Sequence, residues 1–127
     1  MNGNVREIML NVLRVMTGFL FVPHGAQKLF GALGGNQVDD LISLRGLAGI
    51  LEFFGGLLIV FGVLTRYVAF ILSGMMAVAY WMAHGSDAFF PIQNGGELAV
   101  LYCFVFLFLW ANGGGNLSVD GMLRRKQ

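Results

Sequence analysis

Residues 44–64 read LRGLAGILEFFGGLLIVFGVL, an almost unbroken apolar run interrupted by Arg45 near its start and Glu52 near its middle. A helix needs roughly 20 largely apolar residues to cross the hydrocarbon core of a bilayer, and this run has that length. An ionisable residue inside such a segment costs roughly 2.5–3.5 kcal/mol on insertion scales. Glu52 therefore needs a partner, a purpose or both.

The rest of the chain agrees with a membrane setting. Its 127 residues are 57% hydrophobic and only 12% charged, with a mean hydropathy of +0.72. Soluble domains carry about a quarter charged residues. A soluble core of this length could not hide so much apolar surface, whereas lipid can accept it. The chain, residues 1–127, reads as a single membrane domain. A formal net charge of +1 gives no reason to invoke nucleic acid, and the densest basic run, Arg124-Arg125-Lys126, has no aromatic residues interleaved. Cys103 stands alone, so no intrachain disulfide or CxxC chemistry is available.

Three further runs flank the first. Residues 5–22 form the weakest by hydropathy, carrying Arg6, Glu7, Asn11 and Arg14, with Pro23 and Gly25 marking an end or a kink. No small-x-small cleavage site follows this stretch, so it reads as a retained helix rather than a signal peptide. Residues 66–83 follow a very short turn and make an antiparallel hairpin with 44–64; Tyr80 and Trp81 suit an interfacial belt. Residues 96–111 complete the set, short enough to cross upright or with help from flanking residues, before Gly113-Gly114-Gly115 ends them. The expected architecture is all-α, a bundle of four transmembrane helices. Arg6, Arg66, Arg124, Arg125 and Lys126 fall on one side and most acids on the other. The positive-inside rule then places both termini in the cytoplasm.

Small residues recur at packing spacing: Gly46, Gly49, Gly55, Gly56 and Gly62 on the second run, Ala69, Ser73 and Ala77 on the third. Such positions let helix backbones approach closely in lipid.

Arg14 lies nine residues before Pro23 and Glu52 eight after Leu44. If the first helix ends at Pro23, a rise of about 1.5 Å per residue puts both some 12–14 Å below the outer ends of their helices. An intramembrane ion pair between Arg14 and Glu52 is the expectation. Arg14, Gly18, Phe21, Gly25 and Lys28 share one helical stripe, and Arg45, Glu52 and Ile59 another. At the outer end, His24, Gln27 and Lys28 follow the first run, His84 closes the third and Glu97 opens the fourth. Together with Glu52 these make a candidate polar pocket in the outer half of the bundle. A metal site is not expected: no Glu-x-x-His or His-x-x-x-His pairing occurs, and Lys28 beside His24 would repel a cation. No nucleophilic serine constellation, phosphate loop or dinucleotide fingerprint is present.

Four motifs give the chain a resemblance. Pro23-His24-Gly25-Ala26-Gln27-Lys28-Leu29-Phe30-Gly31 resembles the HGxxK(L)FG signature of DoxX-family membrane proteins. Glu52-Phe53-Phe54-Gly55-Gly56, through Gly62 to Leu64-Thr65-Arg66, is similar to the family's E-xx-GG…G-x-x-TR. Asn94-Gly95-Gly96-Glu97-Leu98 follows, then Gly113-Gly114-Gly115-Asn116-Leu117-Ser118-Val119-Asp120, similar to the closing GPGxxSxD, with Gly114 where proline is common. The resemblance implies a four-helix protein of the bacterial inner membrane. It also implies a redox association, the family being named for a subunit of an archaeal thiosulfate:quinone oxidoreductase.

The leading expectation is thus a redox-associated membrane protein whose outer pocket binds a quinone or a similar amphipathic ligand. His and Lys would supply hydrogen-bond donors to a quinone carbonyl, and His and Glu the proton exchange. No haem, flavin or iron–sulfur motif is evident, so electrons would come from a partner or a substrate. The alternative is a non-catalytic accessory or assembly subunit of a larger membrane complex, or a homo-oligomer. A small transporter is disfavoured, because the first run carries Arg14 and not an embedded glutamate.

Overall fold

The computed structural model describes residues 3–126. Among them the secondary structure is entirely helical: α1 (Gly3–Phe30), α2 (Leu44–Phe61), α3 (Thr65–Ala83), α4 (Pro91–Asn94), α5 (Glu97–Asn112) and α6 (Val119–Arg125). α2 and α3 are long and apolar enough to cross a membrane. α5 is apolar but has only 16 residues, and α1 is long, at 28 residues, but carries Arg6, Glu7, Arg14 and Lys28.

The distribution of side chains is that of a protein dissolved in lipid. Arg14, Asn11, Thr17, Glu52, Thr65 and Ser73 are buried, whereas Phe19, Tyr67, Phe70, Trp81, Leu101 and Phe104 are each more than half exposed. Water rewards the opposite arrangement; hydrocarbon rewards this one, because every polar group must find its partner within the protein.

α1 does not stop at Pro23. It runs on through Pro23 and Gly25 to Phe30, and the interior proline is tolerated, as it is in helices whose neighbours re-satisfy the freed backbone. Glycines explain the continuation. A Cβ on Gly18 would lie 2.8 Å from the Gly56 carbonyl oxygen, and one on Gly25 2.7 Å from that of Gly49. The bare backbones of α1 and α2 therefore touch along their antiparallel length, and Gly25 is a packing residue, not a breaker. This contact fixes the register, with Gly18 opposite Gly56 and Gly25 opposite Gly49 and Phe53.

α2 is not uniform. Its turn Leu51–Gly55 is π-helical, a local widening that occurs frequently at functional sites, and it contains Glu52. Gly62 ends α2 in the left-handed conformation (φ 71°). α3 packs along α5, where the Ser73 hydroxyl donates to the Cys103 carbonyl at 2.8 Å. Phe21 of α1 joins the two pairs, with edge-on ring contacts to Tyr102 at 5.0 Å and Phe106 at 5.1 Å.

Candidate functional site

The antiparallel order brings the C-terminal ends of α1 and α3 to the same end of the molecule as the N-terminal ends of α2 and α5. Each end holds a buried charge.

At one end Arg14 is only 2% exposed. Its Nε–H donates to the Ile59 carbonyl at 3.1 Å, Nη1 to Asn11 Oδ1 at 2.8 Å, and Nη2 to the carbonyls of Leu117 at 3.0 Å and Val60 at 3.5 Å. Nη1 also donates to the Gly114 carbonyl. A guanidinium has five N–H groups in a planar fork, and these five acceptors occupy them. Ile59 and Val60 belong to the last turn of α2, and the C-terminal end of a helix favours a cation. Gly114 and Leu117 belong to the glycine-rich loop after α5, folded back over the arginine. Asn11 Nδ2 donates to Asn116 Oδ1 at 2.9 Å, and the Asn116 and Leu117 amides donate to Glu7 and Asn11 at 2.6 and 3.1 Å. Beyond the loop, both Asp120 carboxylate oxygens accept from the chain entering α3, from the Leu64 and Thr65 amides at 2.8 Å each. They hold Leu64 in a left-handed conformation (φ 49°) that a leucine rarely adopts.

At the other end Glu52 is 3% exposed. Its Oε1 accepts from Lys28 Nζ at 2.5 Å, and Oε2 is buried without a hydrogen-bond partner among the described residues. The expected Arg14–Glu52 pair is not formed. Because α1 continues to Phe30, Arg14 lies sixteen residues from its end, or about 24 Å. Glu52 lies eight residues into α2, about 12 Å. The two are at different depths. Gly62, not Glu52, packs against the Arg14 guanidinium, and Lys28, one turn past Gly25, reaches Glu52.

Glu52 and Lys28 line a cavity of about 310 Å³ with His24, His84, Phe21, Met76, Ala99 and Tyr102 among its walls. His24 stands edge-on to the Tyr102 ring at 6.3 Å. His84 is fixed by its Nδ1, 3.1 Å from the Asn94 carbonyl. A carbonyl only accepts, so Nδ1 carries the proton. Asn94 is itself buried, donating to Tyr80 Oη at 2.8 Å and the Ala88 carbonyl at 3.1 Å while accepting from Gly96 N–H at 2.8 Å.

Of the six pocket residues expected from sequence, His24, Lys28, Glu52 and His84 line this cavity. Gln27 and Glu97 do not. Gln27 donates to the Leu33 carbonyl at 3.2 Å and packs against Gly35 in the following loop. Glu97 is exposed at the start of α5, beside a separate depression with Pro91 and Leu101. Sequence reasoning missed Tyr102 and Asn94. A lone tyrosine one turn after Leu98 in an otherwise apolar helix was the available signal for the first. For Asn94 the signal was its place at the head of the motif Asn94-Gly95-Gly96-Glu97-Leu98. Among the described residues no group of three His, Cys, Asp or Glu side chains is placed to hold a metal ion.

Comparison with known proteins places this arrangement. Residues 9–85 match the DoxX family, and the chain belongs to it. It is a membrane protein of that family. Its relatives include an uncharacterized protein of Haemophilus influenzae, 39% identical with 95% of each chain covered. The inner membrane protein YqjF of Escherichia coli K12 is 29% identical over 96% of this chain and 97% of its own. A Bacillus subtilis protein named "Putative oxidoreductase CatD" is 35% identical over 90% of this chain and 86% of its own. No solved structure gives a significant match.

Proposed function

We propose that this protein is a redox-associated, four-span inner-membrane protein whose cavity beside Glu52 binds a quinone or a similar amphipathic ring compound. The observation that carries this reading is the composition of one cavity. Phe21, Met76 and Tyr102 supply apolar and aromatic walls, and Lys28, Glu52, His24 and His84 supply polar groups. A few convergent polar groups in an apolar cleft are the usual make-up of a small-molecule site, and about 300 Å³ is at the small end of such sites. That suits one substituted ring better than a bulky headgroup. On this reading α1, α2, α3 and α5 all span, and the Arg14 end, with Arg6, Arg66, Arg124, Arg125 and Lys126, faces the cytoplasm. The cavity then lies in the outer half of the membrane. The relative named as an oxidoreductase supports a redox setting, with electrons supplied by a partner or by the substrate.

The test is extraction. Protein purified from native membranes in mild detergent is expected to carry quinone, detected by chromatography of the solvent extract. Ala99→Phe, which fills the cavity, should lose it. Absence of quinone in the extract, together with no binding of added quinone, would refute the site and leave the accessory-subunit reading.

A further inference from the structure

The proposed ring site has an unused acceptor. Among the described residues Glu52 Oε2 is buried and has no hydrogen-bond partner, while Oε1 holds Lys28 at 2.5 Å. A buried carboxylate oxygen left without a donor is rare, because it forfeits hydration and gains nothing in return. Of the neighbouring groups His84 points the same way, while the His24 ring on the same wall can both donate and accept. With Nδ1 of His84 committed as a donor to the Asn94 carbonyl, Nε2 is the ring nitrogen left for a ligand, an acceptor in the neutral imidazole. The Tyr102 hydroxyl, on the cavity wall, makes no hydrogen bond among the described residues and can accept as well as donate. The Lys28 ammonium, the strongest donor present, gives one of its three N–H groups to Glu52.

We infer that the cavity selects the hydroxyl-bearing, reduced form of its ring ligand, a hydroquinone or another phenol, over the carbonyl-bearing quinone. This rests on the ring-site reading and deepens it. A quinone offers acceptors only; a hydroquinone offers two O–H donors. One of these meets Glu52 Oε2 after a small rotation about the last torsion of the glutamate, a soft degree of freedom that leaves Lys28 on Oε1. The second is within the chemistry of His84 Nε2. A cationic ligand is disfavoured, because Lys28 already balances the Glu52 charge. An apolar wall of Phe21, Met76 and Tyr102 takes the neutral aromatic face.

The experiment compares duroquinone with durohydroquinone, binding each anaerobically to the full chain in lipid nanodiscs by equilibrium titration. The hydroquinone is expected to bind at least tenfold more tightly. In Glu52→Gln, which replaces one acceptor oxygen by a donor amide, the preference should fall to within twofold, mainly through weaker hydroquinone binding. Equal affinities in the unmodified protein, or a preference for duroquinone, overturn this inference while leaving the ring site standing. Failure of both compounds to bind overturns the site and the inference together. A preference that survives Glu52→Gln in protein that unfolds at the unmodified temperature overturns the assignment to Glu52. The comparison in the unmodified protein requires no variant to fold.

Discussion

Arg14 and Glu52 are both buried charges within packed helices, and they are finished differently. All five guanidinium N–H groups of Arg14 have acceptors, drawn from α1, the end of α2 and the loop after α5. Among the described residues only one oxygen of Glu52 has a donor; the other is buried without one, on a residue that lines a cavity. A buried charge with every bond made is a fastening; one with a bond left over, beside an open volume, is a place for something to bind. The two ends of the molecule thus separate structure from function, and substitutions should separate them too.

The largest effect belongs to the saturated end. Arg14→Leu removes five hydrogen bonds, three of them buried, and it should cost at least about 3 kcal/mol. The expected observation is loss of monodisperse protein on size exclusion in detergent. Arg14→Lys should fail to rescue, since three donors on a point charge cannot span five acceptors arranged around a planar fork. A Lys variant as stable as the parent would show that charge alone, and not the fork, holds the loop.

Next comes the glycine seam that sets the register. Gly25→Val must push its Cβ into the backbone of α2 near Gly49 and Phe53, and it should cost about 2 kcal/mol in thermal unfolding. Because the same contact aligns Lys28 with Glu52, this variant should also weaken ligand binding, which a substitution at the Arg14 end that still folds should not. Smaller again is Asp120→Ala, which removes the acceptors for Leu64 and Thr65 N–H. About 1 kcal/mol is expected, typical of a lost helix cap, with the cavity untouched.

The smallest stability change is expected at the Glu52 end. Replacing the pair by Glu52→Gln with Lys28→Met removes a carboxylate that is only half satisfied and an ammonium that is partly exposed. Stability should move by less than about 1 kcal/mol, because neutral replacements of similar volume often match a buried ion pair. Ligand binding should fall all the same. A loss as large as that of Arg14→Leu would put both charges in one class and erase the contrast.

How much of this the sequence carried depends on the kind of information. The membrane setting was legible from the run 44–64 and the low charge content, and His24, Lys28, Glu52 and His84 were assigned to one end because helix direction alternates along the chain. Pairing was not legible. It turned on Pro23, whose local preference is to end a helix and which tertiary packing overrode through the contacts of Gly18 and Gly25. Moving the end of α1 from residue 22 to Phe30 moved Arg14 away from Glu52 and brought Lys28 to it. The π-helical turn at Glu52 leaves no sequence mark that periodicity can detect. The loop over Arg14 is a long-range return of residues 113–118 to α1, and glycines 113–115 announce a turn without saying what it covers.

The most direct measurement is the electron density of the cavity in a crystal structure of protein purified from native membranes and never exposed to added ligand. Planar density against Tyr102, with an oxygen within hydrogen-bond distance of Glu52 Oε2, and an Arg14 centre closed as described, is the predicted result. A cavity holding only water, with Glu52 Oε2 satisfied by a donor from this chain, would contradict the assignment of that end to ligand binding.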